Sequence, residues 1–285
     1  MTLTLYGFLL CAGYALAHGV LVLRKRRFKA AALDGAFIVA FLLVYALWSD
    51  TMPEGWLRLC LLWAPILFFW WAYTWAGMTL DAIHPAGHSF DSALLEFEAK
   101  WFGQPALHWA RRGNALLCEI AHLGYATYYL YTPAIGAALH LQARFRDFEQ
   151  MSFAILFGYL LAYAGFALYP VHGPRWALVD SGDLKPEEQR LAGGPVTALF
   201  RLIMWGGAAH RGGAMPSSHT STGIVFVYWC GWIWGPIGFV LAAAVFLLMI
   251  YGAIYGRYHY ATDILAGAVL GAGAIALAHI VFAFA

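Results

Sequence analysis

Two short segments of the chain combine histidines with residues that can help them react. The first runs Gly-Gly-Ala-Met-Pro-Ser-Ser-His from Gly212 to His219, and in the second His259 precedes Asp263 by four positions. On a helix such positions share a face, so the Asp263 carboxylate can hold one imidazole nitrogen and leave the other free to attack. His219 would then protonate the departing oxygen as a general acid. The two segments together predict phosphoryl transfer through a phosphohistidine.

The start of the first segment also predicts an anion site. If a helix begins near Pro216, a favoured first-turn residue, then Ser217, Ser218 and His219 occupy its first turn. Free backbone N–H groups and the positive end of the helix dipole attract an oxyanion there. We therefore expect both serines to take part in binding the phosphoryl group.

Three arginines are candidates for neutralising charge on the phosphoryl oxygens. Arg175 follows His-Gly-Pro in a polar stretch, Arg211 directly precedes the first segment, and Arg257 lies two positions before His259. Cations beside a membrane-embedded site are costly without an anionic partner, which makes a phosphate ester their natural ligand. The spacing of Arg257 from His259 predicts that its side chain points to another part of the same helix.

A second pair of polar residues lies inside an apolar segment. Glu119 and His122 are spaced i, i+3, as are some metal ligands in helical bundles. Since the sequence has no second Glu/His pair to complete a metal site with them, we favour a contact with the substrate headgroup or a structural hydrogen bond over a metal site. No metal and no cofactor are therefore predicted.

The composition places all of these residues in a membrane protein. Hydrophobic residues make up 62% of the 285 positions, charged residues only 11%, and the mean hydropathy is +0.66. Eight apolar segments are long enough to cross a bilayer as helix, with six crossings if the second and third form a shallow hairpin. They are Leu3–Leu23, Ala31–Trp48, Trp56–Thr79, Ala115–Leu141, Met151–Tyr169, Pro216–Trp234, Ile237–Tyr255 and Ala261–Phe284. We predict an all-α transmembrane bundle forming one domain over residues 1–285, with the catalytic motifs in 170–267.

Counting crossings assigns the candidate residues to one face of the membrane. The loops after the third and fifth segments and the starts of the sixth and eighth are separated by even numbers of crossings. The residues collected on this face are Arg175, Arg211, His219, Arg257, His259 and Asp263.

The polar stretch before the fourth segment predicts a helix lying in the membrane interface, from Asp91 to Gly103. Apolar and charged side chains are interleaved along it. The apolar set is Leu94, Leu95, Phe97, Trp101 and Phe102, and the charged set is Asp91, Glu96, Glu98 and Lys100.

Charge excludes some partners. The net charge is +2 and the pI is about 8.3, with no long basic stripe outside Arg24–Lys29, so a nucleic-acid partner is not expected. The basic run is typical of an anchor at the level of the lipid headgroups. The expected partners are the membrane, a lipid substrate, and a lipid or water acceptor; the sequence does not fix the oligomeric state.

The two histidine segments resemble the second and third motifs of the type 2 phosphatidic acid phosphatase superfamily, which includes vanadium haloperoxidases. Within it, the fuller segments Gly212–His219 and His259–Asp263 are similar to the branch of inositol phosphorylceramide synthase. The resemblance implies a six-span core, a metal-free phosphohistidine route and lipid phosphate or phosphodiester substrates. It assigns His259 as the nucleophile, Asp263 as its orienting partner and His219 as the acid, and it matches Arg175 loosely to the arginine of the first motif.

Two positions depart from the pattern that the resemblance implies. Leu168 stands where the phosphatase form of the first motif has a lysine, and Ala253 stands where the third motif usually has an arginine. Fewer cations suit a phosphodiester, so we favour phosphotransfer between lipids, as in the inositolphosphotransferase branch. A plain lipid phosphate phosphatase, and a transporter that uses the same ionisable residues, remain the alternatives.

Two observations give opposite predictions for the membrane face on which the site lies. The relatives implied by the resemblance usually work outside the cytoplasm, and on that ground we favour an extracytoplasmic site in a multi-pass plasma (inner) membrane protein. Eight crossings, however, place Arg24–Lys29 on the face of the site, which the positive-inside rule assigns to the cytoplasm.

Overall fold

The computed structural model describes residues 4–48, 54–85, 87–189, 191, 193–205 and 211–283, and within these ranges the regular structure is helical. The helices are α1 Thr4–Arg24, α2 Phe28–Trp48, α3 Gly55–Ile83, α4 Asp91–Trp101, α5 Pro105–Arg112, α6 Ala115–Ala126, α7 Tyr128–Leu141, α8 Phe145–Leu168, α9 Pro174–Asp180, α10 Pro195–Trp205, α11 Ser218–Tyr255 and α12 Ala261–Ala283. A 3₁₀ turn covers Pro186–Gln189. The predicted all-α helical bundle is confirmed.

Six of the described helices are long and apolar enough to cross a membrane: α1, α2, α3, α8, α11 and α12. This number differs from the eight predicted segments for two physical reasons. The fourth segment is broken at Thr127, whose hydroxyl donates to the Gly124 carbonyl at 2.6 Å and competes with the helical ladder. The sixth and seventh segments are joined in α11, which bends back at Gly235 (φ 67°, ψ −157°) before Pro236.

The bend makes α11 a hairpin of two antiparallel helical arms. Gly231 abuts Phe239 on either side of the bend, and farther along Gly223 abuts Phe246. Beyond the hairpin, α6 packs on the second arm, with Gly124 against Leu248. The path of the chain therefore keeps the predicted alternation of directions, and the count of eight crossings remains a prediction.

The helix ends confirm which loops share one end of the bundle. At the end of α3, His84 bonds the carbonyl oxygen of Ala167 at the end of α8, at 2.7 Å. At the same end, Arg27 in the turn between α1 and α2 lies 3.9 Å from Asp81. At the opposite end, Arg146 donates to the Phe282 carbonyl of α12 at 3.1 Å. The basic turn Arg24–Lys29 thus lies at the same end as the starts of α11 and α12.

The core runs through the middle of the bundle as one large apolar cluster with side chains from α1, α3, α8, α11 and α12. Helix α8 is its centre, because it packs against α1, α3, α7, α11 and α12. By contrast, α2 packs mainly on α1, and only 11% of its apolar window is buried. In a membrane protein such exposed apolar side chains contact lipid, so α2 lies at the edge of the bundle.

Candidate active site

The starts of α11 and α12 are fixed side by side by close backbone packing. Gly267 and Gly271 of α12 abut the backbone of Ser217 and Ser221, an approach that side chains at these glycines would block. The Ser217 N–H then donates to the carbonyl of Asp263 at 3.0 Å. The two helix starts that carry the predicted catalytic histidines are therefore neighbours.

His219 and His259 are in direct contact. Nε2 of His259 lies 3.3 Å from Nδ1 of His219, and the ring centroids are 5.3 Å apart. On the far side of each ring, His259 Nδ1 is 2.9 Å from the carbonyl oxygen of Ala214, and His219 Nε2 is 2.9 Å from the hydroxyl of Tyr125. If each histidine carries its proton on Nδ1, every hydrogen bond in this series from Tyr125 to Ala214 has one donor and one acceptor. Nε2 of His259 is then unprotonated and faces His219.

Asp263 approaches the same ring, but in another arrangement than the one predicted. Helix α12 begins at Ala261, so His259 precedes the helix instead of sharing its face. The Asp263 carboxylate lies 3.4 Å from His259 Nδ1 and accepts a hydrogen bond from the Tyr260 N–H at 2.8 Å. The nearest acceptor for Nδ1 is therefore the Ala214 carbonyl, with Asp263 as a second, charged neighbour. Both favour the tautomer whose Nε2 is free to attack.

Arg257 corrects one expectation from the sequence. We expected its side chain to point elsewhere along a helix, but α11 ends at Tyr255 and Arg257 has a left-handed backbone conformation with φ 60°. This turn directs the arginine into the site, where it is 1% exposed. A non-glycine residue in this conformation costs about 1–2 kcal/mol, a cost often found at functional sites.

Arg175 lies beside Arg257. It is 7% exposed, and its backbone N–H donates to the Arg257 carbonyl at 2.9 Å. Burial lowers the pKa of both guanidinium groups, which nevertheless remain cations because an arginine side chain loses its proton only far above neutral pH. Two buried cations beside two imidazoles favour the binding of an anion at this place.

Arg211 is placed at the edge of the site. Its side chain is exposed, and its guanidinium carbon lies 4.2 Å from the centroid of the Trp176 ring. The guanidinium carbon of Arg175 lies 4.9 Å from the same ring. Trp176 thus holds both arginines through cation–π contacts, one inside the site and one at its rim.

These side chains surround a cavity of about 70 Å³. Its size suits a single small polar group. The residues that line it are Tyr73, Tyr125, His172, Arg175, Trp176, Gly213, Ala214, His219, Arg257, Tyr258 and His259. The aromatic members could not be identified as site residues from the sequence, because thirteen Trp and sixteen Tyr are scattered along the chain.

The two predicted serines do not line this cavity. Ser217 is the N-cap of α11 and not a first-turn residue: its hydroxyl accepts the Thr220 N–H at 3.2 Å. Ser218 begins the helix and is 6% exposed. Its participation in phosphoryl binding stays a prediction, while the Ser217 hydroxyl already has a capping partner.

Asp91 is a site residue that the sequence analysis missed. Its carboxylate is 5% exposed and accepts hydrogen bonds from the N–H groups of His172 at 2.7 Å and Gly173 at 3.0 Å. It also accepts the Tyr260 hydroxyl at 3.0 Å. Asp91 therefore joins the loop that carries Arg175 to the loop that carries His259.

Glu98 of α4 holds the start of α12. It is 2% exposed and accepts the N–H groups of Ala261 at 3.2 Å and Thr262 at 2.8 Å, together with the Thr262 hydroxyl. Two of the three carboxylates of α4, those of Asp91 and Glu98, are thus buried, while Phe97 and Trp101 are 44% and 64% exposed. The seven-residue spacing of Asp91 and Glu98 was the signal that both lie on one stripe.

Glu119 and His122 have structural partners. Glu119 accepts the backbone N–H groups of Gly194, Val196 and Thr197 at 2.8–2.9 Å, and so caps the start of α10. His122 lies 3.2 Å from the Tyr258 hydroxyl, whose residue lines the cavity. This agrees with the hydrogen-bond alternative for the pair. Across the described ranges, no group of three or more His, Cys, Asp or Glu side chains is arranged to hold a metal ion.

Comparison with known proteins gives a match to one family model. The model, described as PAP2 superfamily, matches residues 92–277, about two thirds of the chain. Searches of curated proteins and of solved structures give no match. The matched range runs from α4 to α12 and contains the histidine pair, Asp263 and the three arginines, and it includes every residue that lines the cavity except Tyr73. From this match and this geometry, the chain belongs to the PAP2 superfamily.

Proposed function

We propose that this protein is an integral-membrane lipid phosphotransferase or phosphatase that works through a phosphohistidine on His259. The observation that carries the proposal is the contact between His259 Nε2 and His219 Nδ1 beside two buried arginines. Membership of the PAP2 superfamily supports the reaction class, and the apolar helices support a lipid substrate.

The first step forms a bond from His259 Nε2 to phosphorus and breaks the bond from phosphorus to the ester oxygen of the lipid. The phosphoryl group enters between the two rings and replaces their hydrogen bond. For this step His219 is protonated on both ring nitrogens; it gives its Nδ1 proton to the departing alkoxide and is left as the neutral imidazole. Arg175 and Arg257 stabilise the negative charge on the remaining phosphoryl oxygens as it builds up.

The second step reverses these roles. A hydroxyl group from water or from a second lipid gives its proton to His219 and attacks the phosphorus, and the bond to His259 breaks. Water gives hydrolysis, whereas a lipid alcohol gives transfer. The Ala214 carbonyl and Asp263 keep a proton on His259 Nδ1 throughout, so that Nε2 returns unprotonated for the next cycle.

We favour transfer of a phosphodiester headgroup, as in the inositol phosphorylceramide synthase branch. Leu168 is 73% exposed and points away from the cavity, and Ala253 is buried without charge. The cavity therefore has the guanidinium groups of Arg175 and Arg257, with Arg211 at the rim, as its nearby cations within the described ranges. A diester carries less negative charge than a terminal phosphate and needs fewer cations.

The test uses protein purified in detergent and then placed in vesicles. Phosphatidic acid, diacylglycerol pyrophosphate, and phosphatidylinositol with ceramide are offered separately, with a metal chelator present. We expect phosphate release or headgroup exchange, and an acid-labile phosphoprotein when the reaction is quenched. Product formation that is unchanged in His259→Ala would refute the mechanism. Exchange with ceramide but no release from phosphatidic acid would select transfer over hydrolysis.

A further inference from the structure

A second cavity, of about 190 Å³, lies on the membrane side of the site, between α3 and α7 with α8 behind it. Its α3 wall includes Trp63, Leu67 and Trp70, and its α7 wall includes Tyr129 and Thr132. Leu67 and Trp70 are 56% and 61% exposed, so the mouth of this cleft opens towards the hydrocarbon of the bilayer. We call it the α3/α7 cleft.

The α3/α7 cleft adjoins the catalytic cavity. Tyr73 lines the catalytic cavity and lies one helical turn beyond Trp70 of the cleft. On the other wall, Tyr128 lines the cleft while its ring centroid is 4.2 Å from that of His219. The cleft therefore lies within one side chain of His219, close enough to take a chain attached to a phosphoryl group in the catalytic cavity.

The side chains that line the cleft determine which kind of ligand can bind there. Aromatic and aliphatic side chains make up most of the surface, and no charged side chain is among the lining residues. The hydroxyls of Tyr128 and Tyr159 bond to each other, which satisfies both of them within the wall. Such a surface favours a hydrocarbon chain and disfavours a polar ligand.

Trp63 closes the far end of the cleft. Its indole packs on Phe148 with centroids 5.0 Å apart and on His140 at 5.9 Å. It also covers Gly136 of α7, where an added Cβ would meet the indole. From Tyr73 to Trp63, ten helical residues span about 15 Å, roughly half the hydrocarbon thickness of a bilayer.

We infer that the α3/α7 cleft binds one hydrocarbon chain of the lipid substrate and that Trp63 sets the longest chain it accepts. This inference rests on the proposed function, because it takes the phosphoryl group of the same lipid to lie between His219 and His259. The lipid enters sideways from one leaflet, passes between Trp70 and Tyr129, and brings its chain to rest against Trp63.

Turnover of a series of lipid phosphates that differ only in chain length tests the specificity. Trp63→Ala removes the end wall and should raise the ratio of long-chain to short-chain kcat/KM by about tenfold or more. Trp71→Ala is the matched control, since Trp71 lies on the same helix but packs on Phe37 of α2 at 5.4 Å. Thr132→Phe fills the cleft and should reduce turnover of long chains more than that of short ones.

Binding without turnover tests the site separately. A phosphatidic acid with a photoreactive group near the end of its chain is crosslinked to the His259→Ala protein, and the labelled peptides are identified by mass spectrometry. We expect labels on the α3 and α7 walls of the cleft, and their loss when Thr132→Phe is added.

The two proposals fail in different ways. If the labels lie outside the cleft and Thr132→Phe does not change them, the proposed chain-binding site is refuted, whatever the activity assay shows. An unaltered chain-length profile in both Trp63→Ala and Thr132→Phe also overturns it while leaving the phosphohistidine mechanism intact. Labelling within the cleft, combined with turnover that does not need His259, supports the chain-binding site but refutes the proposed mechanism.

Discussion

Nδ1 of His219 and Nε2 of His259 lie 3.3 Å apart although forty positions separate the two residues along the chain. The Ser217 N–H bond to the Asp263 carbonyl and the glycine contacts of α12 hold the two helix starts at this separation. Each ring has a different second partner, Tyr125 for His219 and the Ala214 carbonyl for His259. This asymmetry is what suggests different chemical roles for two identical side chains.

The two histidines should respond differently to the leaving group. His219→Ala removes the proton donor and should lower kcat by about 10²–10⁴-fold with a lipid alkoxide as leaving group. A nitrophenyl ester needs little protonation, so its turnover should fall much less. His259→Ala should abolish both reactions. Equal losses for both substrates in His219→Ala would contradict its role as general acid.

The buried and rim arginines should differ in the size of their effect. Arg257→Gln and Arg175→Gln each remove a guanidinium that lines the cavity, and each should lower kcat/KM by about 10²–10³-fold. Arg211→Gln is the comparison, because Arg211 is exposed at the rim and stacks on Trp176. Steady-state kinetics in vesicles measure all three. A loss in Arg211→Gln as large as in Arg257→Gln would place the phosphoryl group outside the cavity.

The two buried carboxylates of α4 should affect different kinetic constants, one mainly kcat and the other mainly KM. Glu98→Gln disturbs the start of α12 and hence the nucleophile, so kcat should fall by up to about 10²-fold with little change in KM. Asp91→Asn loosens the loop before Arg175 and should mainly raise KM. Glu96→Gln, an exposed carboxylate on the same helix, is the control. Equal changes in kcat and KM in all three variants would show that α4 has no positioning role.

Glu119 should affect stability more than chemistry. Glu119→Ala removes the acceptor for three N–H groups at the start of α10, so that helix should become more susceptible to proteolysis and the Tm should fall. The value of kcat for the remaining folded protein should change little. A Glu119→Ala protein with an unchanged Tm and a lost divalent-metal response would instead favour the metal alternative.

The topology makes a prediction about the basic turn. Arg27 lies near Asp81 at the end of the bundle that holds the cavity, so a reporter fused at Lys29 should lie on the same side as the site. Fusions at Gln150 and Ala285 should report the other side. If Lys29 reports the cytoplasm, the positive-inside rule is obeyed and the expected extracytoplasmic site is wrong. A periplasmic report at Lys29 would support it.

The sequence by itself determined the apolar segments and the histidine motifs. Hydropathy over about twenty residues is a local property, so the segments later found as α1, α2, α3, α8 and α12 could be located directly. The parity of the crossings then assigned His219 and His259 to one end of the bundle, because it requires only the order of the segments along the chain.

Only the tertiary structure decided how the surrounding residues act. Arg257 turns into the cavity because α11 ends at Tyr255, and Ser217 caps a helix because α11 starts at Ser218, two residues later than expected. Asp91 and Glu98 are buried because the loops before α9 and α12 present N–H groups to them. The burial of these two carboxylates depends on partners more than eighty positions away, and a single sequence carries no local signal for which partner a side chain will meet.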